Sequence, residues 1–142
     1  MVTGVSLRGG MKLRRLFLVC LLVCAVANAK KFPLAAAPSV PAARGDVDID
    51  HDKNGNTRFK IRVQHLAKPG ALTPPRAAYV VWLRERDGNA SPQGQLRVDK
   101  KLNGRFEGVT PAKNFDVFIT AEQEHAPKVP AGEEILKATV QP

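Results

Sequence analysis

The stretch that decides the fold is residues 46–63, DVDIDHDKNGNTRFKIRV. Apolar and charged residues alternate on both sides of a central turn, which is the pattern of two half-buried strands. Apolar side chains must face the same side across a hairpin, so the numbers of paired residues must have an even sum. A three-residue loop, Lys53-Asn54-Gly55, satisfies this condition, pairs Asp52 with Asn56, and puts glycine where a left-handed residue is needed.

This register sets an acidic residue of the first strand opposite a basic residue of the second strand three times. Each such pair stabilises a sheet by only a few tenths of a kcal/mol, as an order of magnitude. Their agreement therefore supports the register more than it stabilises the fold. The predicted pairs are Asp50 with Arg58, Asp48 with Lys60, and Asp46 with Arg62.

Further short runs follow the hairpin at intervals of roughly 8–12 residues, separated by Gly, Pro and Asn, which is typical of a sandwich or barrel. We expect an all-β fold, a seven-stranded antiparallel β-sandwich of the Ig-like kind. The apolar run 79–83 predicts a central strand covered on both faces. The other strands are predicted at residues 95–99, 105–110, 115–121 and 133–140. The predicted core is Val47, Ile49, Phe59, Ile61, Val63, Val81, Trp82, Leu96, Val98, Phe106, Val117, Ile119 and Leu136.

The beginning of the chain is typical of a secretory signal peptide. Lys12, Arg14 and Arg15 precede an apolar run, residues 16–26, which ends in Ala27-Asn28-Ala29. The run is shorter than the roughly 20 residues of a membrane span. We expect cleavage after Ala29 and a periplasmic or extracellular protein with no membrane span in the mature chain. A leader retained as an anchor, and a start at Met11, are the alternatives.

The rest of the chain is expected to hold one linker and one domain. Residues 30–44 are rich in Ala and Pro, which predicts a flexible linker, and residues 45–142 then form the β-sandwich. Loss of the signal peptide, residues 1–29, removes four basic residues and lowers the formal net charge from +9 to +5. The remaining basic residues are interspersed with acidic ones, so a nucleic-acid interface is not indicated.

Metal sites find little support in the sequence. Both cysteines, Cys20 and Cys24, lie in the leader, which excludes a cupredoxin-like copper site in the mature chain. The sequence Asp50-x-Asp52-x-Asn54-Gly55 matches half of an EF-hand loop, but position 12 is an isoleucine and the hairpin explains the same residues. The histidines lack metal-ligand spacing, and we expect no metal and no cofactor. They are His51, His65 and His125.

Catalytic and sugar-binding patterns are equally weak. The mature serines, Ser39 and Ser91, lack a nucleophile-elbow context, and we expect no catalytic residues and no enzyme activity. Tyr79 and Trp82 would stack on a sugar only if they were exposed, whereas their apolar strand favours the core. Four acidic residues near strand ends could serve as paired carboxylates, but solvated charges are the simpler interpretation. They are Glu122, Glu124, Glu133 and Glu134.

Four stretches in the second half share an order of strands and turns with a known family. They are YVVWLRERDG (79–88), GQLRVDKKLNGRFEGVT (94–110), FDVFITAEQE (115–124) and VPAGEEILKATV (129–140). The family pattern is a V-x-W strand, a G-x-L strand, a V-T/S-x-E strand, a Pro-Gly loop and a final strand. In this order the chain resembles the extracytoplasmic C-terminal domain of anti-sigma-K factors, without their sigma-binding and membrane segments. The resemblance implies an exposed sandwich with no catalytic residues.

We therefore expect an exported, non-enzymatic binding or structural module of the cell envelope or exterior, with an unknown protein or envelope component as its partner. A periplasmic metal- or calcium-binding protein and a carbohydrate-binding module are the alternatives. Edge strands of such a sandwich could also pair with another chain.

Overall fold

The computed structural model describes residues 29–141, which form nine β-strands and one short 3-10 helix, Pro69–Ala71. All strand pairs are antiparallel, in the order β1-β3-β4-β7-β6-β5-β8-β9-β2. Within residues 29–141 we find no helix with the length and apolar character that crossing a membrane requires. The strands are β1 (Lys30–Pro33), β2 (Ala35–Ala36), β3 (Arg44–His51), β4 (Thr57–Gln64), β5 (Ala78–Arg84), β6 (Ala90–Val98), β7 (Gly104–Thr110), β8 (Phe115–Glu122) and β9 (Glu133–Val140).

The sheet curls back on itself and is nearly a closed barrel. β1 and β2 stand at its two ends, yet only Leu34 separates them in sequence. β1 also contacts β9, and β2 contacts β3. We call β1, β3, β4 and β7 the first layer, and β5, β8, β9 and β2 the second layer. β6 belongs to both, because it pairs with β5 along most of its length and with β7 only at Arg97 and Val98.

The all-β class is confirmed, but the seven-stranded sandwich is wrong, because residues 30–44 add two strands. Their prolines indicated a flexible linker. An edge strand nevertheless tolerates a proline such as Pro33, because one side of the strand has no neighbour that needs a backbone N–H donor. Phe32 is half-buried and Leu34 is only 7% exposed, so apolar burial holds the segment in place. The predicted signal-peptide helix lies outside the described residues.

The β3–β4 hairpin has the predicted register. Asp50, Asp48 and Asp46 stand opposite Arg58, Lys60 and Arg62. Asp52 N donates to Asn56 O at 3.0 Å, and Gly55 has a φ of 77°. The three-residue loop is therefore confirmed, with glycine at its left-handed position.

One large core lies between the layers, and a small second cluster lies outside it. Eleven of the thirteen predicted core residues are buried, whereas Val98 and Phe106 are half-buried at the margin of the main core. Trp82 is fully buried, but it packs with Val80 and Phe118 on the outer side of the second layer. The Trp82 and Phe118 rings stack with centroids 6.4 Å apart.

Candidate binding surfaces

The outward side chains of the first layer and of the end of β6 form one charged surface, which we call the charged face. It exists because side chains alternate along each strand while the apolar partners point into the core. Adjacent strands align these positions in rows. The charged face comprises Lys31, Arg44, Asp46, Asp48, Asp50, Arg58, Lys60, Arg62, Arg97, Arg105 and Glu107.

Most charges on this face are paired. Arg62 forms ion pairs with Asp48 and, at 3.9 Å, with Asp46. Lys60 lies opposite Asp48 but pairs with Glu107 of β7, at 3.2 Å. The three-dimensional sheet thus gives Lys60 a partner that the isolated hairpin does not contain. Asp48 is buried at 8% exposure, whereas Lys60 and Glu107 are both exposed, and an exposed pair of that kind contributes about 1 kcal/mol or less to stability.

Three arginines of the charged face form no ion pair within residues 29–141, namely Arg44, Arg97 and Arg105, and the last two are neighbours. Arg105 lies opposite Arg62 on one side and opposite Arg97 on the other. Within residues 29–141, no carboxylate oxygen lies within 4.0 Å of the Arg97 or Arg105 guanidinium. Like charges placed directly opposite in adjacent strands repel each other. We call Arg62, Arg105 and Arg97 the arginine row. Arg62 is compensated by its ion pairs with Asp46 and Asp48, so the uncompensated repulsion lies between Arg97 and Arg105.

A shallow groove of about 590 Å³ runs across the same face. Its walls include Asp48, Arg62, Arg105 and Glu107, together with Ala29 at the start of the described residues. Charges of both signs line it, so the groove as a whole is not a strongly cationic pocket. Its lining carries three acidic and three basic side chains, so it has no net charge.

The seam between the two layers leaves part of β7 open. Residues 106–110 pair with β4 on one side, and among the described residues they make no backbone hydrogen bond on the other. Alternate residues of such a strand direct their N–H and C=O groups away from the paired neighbour. Val109 is 54% exposed on this strand, which adds apolar surface to the unpaired backbone.

The other free edges carry features that hinder pairing with a further strand. β1 has four residues and ends in Pro33, and β2 has only two residues. The free part of β6 contains Pro92 and a register shift opposite Val81 and Trp82. Residues 106–110 contain no proline, no lysine and no bulge, and their single charged side chain, that of Glu107, pairs with Lys60 of β4. Of the four edges, β7 alone lacks these features within residues 29–141.

A buried polar network lies on the second layer. Trp82 Nε1 donates to Thr120 Oγ1 at 2.8 Å, and Thr120 Oγ1 donates to Glu122 Oε1 at 2.6 Å. The Glu122 carboxylate also accepts from the backbone N–H groups of Ala131 and Gly132. These hydrogen bonds therefore hold the β8–β9 loop against strands β5 and β8. Its three donors explain how Glu122 is accommodated at 2% exposure.

The residues of the EF-hand-like sequence build the hairpin turn. Asp52 Oδ1 accepts from Asn54 N and Asn56 N, both at 2.9 Å, and Asp52 Oδ2 accepts from the Asn56 side chain. These hydrogen bonds, led by the one from the Asn56 side chain, lower the pKa of the Asp52 carboxyl below its ordinary value. The Asp52 carboxylate therefore accepts its hydrogen bonds from residues of the same turn.

The histidines lie at three separate places: His51 at the end of β3, His65 just after β4, and His125 in the β8–β9 loop. No group of three metal-ligating side chains comes together anywhere in the part of the chain that the structure describes.

The candidates for catalysis and sugar stacking are also dispersed. Ser39 Oγ donates to Glu133 at 3.0 Å, and Glu134 pairs with Arg84 at 2.8 Å. Glu124 and Ser91 are exposed, on the β8–β9 loop and β6 respectively. Tyr79 and Trp82 are fully buried, so neither ring is available to stack on a sugar.

Sequence reasoning missed both the arginine row and the open β7 edge, because each depends on which strands become neighbours. One signal for the row was present in the sequence: Arg97 and Arg105 flank residues 99–103 symmetrically, and a three-residue loop at 100–102 pairs them as the loop at 53–55 pairs the first hairpin.

No protein-family model matches the chain, and no curated protein is significantly similar to it in sequence.

Proposed function

We propose that the protein is an exported, non-enzymatic binding module that captures an extended segment of a protein partner by strand addition to β7. The observation that supports this is the open edge at residues 106–110, with unpaired backbone groups and without the protection found on the other edges. Strand addition uses main-chain hydrogen bonds for affinity and alternate side-chain positions for specificity.

The neighbours of this edge specify the partner segment. Phe106 is half-buried at the margin of the core and packs against Phe59, with ring centroids 6.1 Å apart. An added strand would cover this margin with its inward side chains, so those positions should be apolar. On the outer side it would lie beside Glu107 and Val109, which favours a basic and an apolar residue two positions apart in the added strand.

The edge is tested with a displayed library of random peptides as the probe. Selection on the protein should enrich sequences of alternating apolar residues, and a selected peptide should slow amide hydrogen exchange within residues 106–110. Val109→Lys puts a charge on the edge and should weaken binding about tenfold or more, since natural edges use lysine to deter pairing. The matched control is Val129→Lys, at an exposed valine of the β8–β9 loop, which should bind normally.

Two results would refute strand addition. One is a selection without enriched sequences, and the other is equal binding by the Val109→Lys variant.

Export is tested separately by N-terminal sequencing of the protein released from an expressing cell. A start at Lys30 agrees with export and cleavage, an intact leader on protein recovered with the membrane indicates a retained anchor, and an intact leader on protein that stays inside the cell contradicts export.

A further inference from the structure

Arg97 and Arg105 lie side by side on adjacent strands of the charged face, and both are exposed. The face carries seven basic and four acidic side chains, so three positive charges remain after the acidic groups are matched. Arg44, at the start of β3, donates to the carbonyl oxygens of Pro41 and Ala43. Arg97 and Arg105 account for the other two positive charges. The neighbouring Arg62 does not neutralise Arg105, because its own partners are Asp46 and Asp48.

The carboxylate of Asp99 is close to this pair but is used by its own turn. Asp99 Oδ1 accepts from Lys101 N at 2.8 Å and from Asn103 N at 2.9 Å. These hydrogen bonds, chiefly the one from Asn103, lower the pKa of Asp99, and the charge of Arg105 is the smallest contributor. Asp99 therefore influences Arg105 from a distance without forming an ion pair with it.

We propose that Arg97 and Arg105 form a binding site for a phosphate or sulfate ester. Adjacent strands are about 4.8 Å apart, a spacing at which two guanidinium groups can converge on one tetrahedral oxyanion. Arginine suits this role because its planar fork donates two parallel hydrogen bonds to oxygen acceptors. A bound oxyanion between the two guanidinium groups attracts both and so offsets their mutual repulsion. The site does not depend on the open β7 edge.

The chemistry is shared by free phosphate, by anionic lipid headgroups and by sulfated polysaccharides, so the experiment has three arms. Inorganic phosphate, phosphatidylglycerol vesicles and a heparin oligosaccharide are each titrated against the protein. Binding is followed through the arginine Nε–H resonances in NMR. We expect shifts of the Arg97 and Arg105 signals, and the arm with the tightest binding identifies the source.

Variants then separate this site from general charge attraction. Arg97→Gln and Arg105→Gln should each weaken binding about tenfold, the usual order for one charge-assisted hydrogen bond. Arg58→Gln removes the same charge from the same face at a residue paired with Asp50 at 3.9 Å, and should change binding by less than about threefold. The conservative Arg105→Lys keeps the charge and loses the fork, so an intermediate affinity is expected.

A stability measurement completes the test. Because the variants relieve repulsion, Arg97→Gln and Arg105→Gln should raise the thermal midpoint or leave it unchanged. Absence of binding in all three arms overturns the proposal, as does an equal loss of affinity in the Arg58→Gln control. A lowered midpoint for both arginine variants would assign the pair a structural role and would also overturn it.

Discussion

Replacing Thr120 by valine would remove one hydroxyl from a buried chain of hydrogen bonds while preserving the size of the side chain. Thr120 is fully buried, and its Oγ1 accepts from the Trp82 indole at 2.8 Å and donates to Glu122 at 2.6 Å. The variant leaves the indole N–H without a partner, which costs about 1–3 kcal/mol. It also removes a hydrogen bond to a charged group, worth about 1.5–3 kcal/mol.

We therefore expect Thr120→Val to lower the free energy of unfolding by about 3–5 kcal/mol, a large part of the about 5–15 kcal/mol typical of a domain. The assay is chemical denaturation at equilibrium. The matched control is Thr139→Val on the adjacent strand β9, whose hydroxyl donates to Asp116 at 2.7 Å in an exposed position. Because water replaces that bond, the control should lose about 1 kcal/mol or less.

A double-mutant cycle tests the physical cause. Trp82→Phe removes the indole N–H, so Thr120→Val should cost about 1–3 kcal/mol less in that background than in the wild type. Additive effects of the two substitutions would refute the argument from the orphaned donor. So would a loss below about 1 kcal/mol for Thr120→Val alone.

Three further predictions concern other parts of the fold. Leu34→Ala should lower the free energy of unfolding by about 2–5 kcal/mol in denaturant titrations. The control Val129→Ala, at a residue with 68% exposure, should leave it nearly unchanged. Equal effects of the two substitutions would indicate that residues 30–36 are a linker and not part of the folded sheet. Leu102 has a φ of 63°, like the 77° of Gly55, so Leu102→Gly should stabilise the protein by about 0.5–1 kcal/mol, and a loss of stability would contradict this. Burial raises the pKa of Tyr79, the single tyrosine, from 10.0 to about 12. The stability that neutral, buried Tyr79 contributes is therefore complete below pH 10 and is lost as the pH rises toward 12. Tyrosinate absorbance that titrates near pH 10 in the folded protein would disprove this prediction.

The sequence specified local pairing well, because a strict period of two and the chemistry of the turn act on neighbouring residues. The β3–β4 register follows from the positions of three acidic and three basic residues, and the structure has the same pairs. The second hairpin uses a similar turn: Asp99 caps DKKLN (99–103) as Asp52 caps DKNGN (52–56). The two turns differ at the fourth position, where the second has Leu102 instead of glycine, so the sequence alone did not indicate that they are similar.

Long-range arrangement could not be read in the same way. The pairing of β1 with β3 and of β2 with β9 depends on residues far apart in sequence, and three prolines in residues 30–44 masked two short strands. The arginine row and the open β7 edge arise from the order of strands, which hydrophobic periodicity does not encode. Burial of Trp82 on the outer side of the second layer likewise depends on its neighbours, Val80 and Phe118.

The pairing of β2 with β9 also has a consequence for the order of folding. Ala35 and Ala36 pair with Lys137 and Leu136, which follow them by about 100 residues. During synthesis from the N-terminus, β2 therefore has no partner until those residues have been made. Contacts so distant in sequence slow folding. Until β9 has been made, β8 also lacks its neighbour on that side, and chaperones that bind unpaired strands would act in that interval.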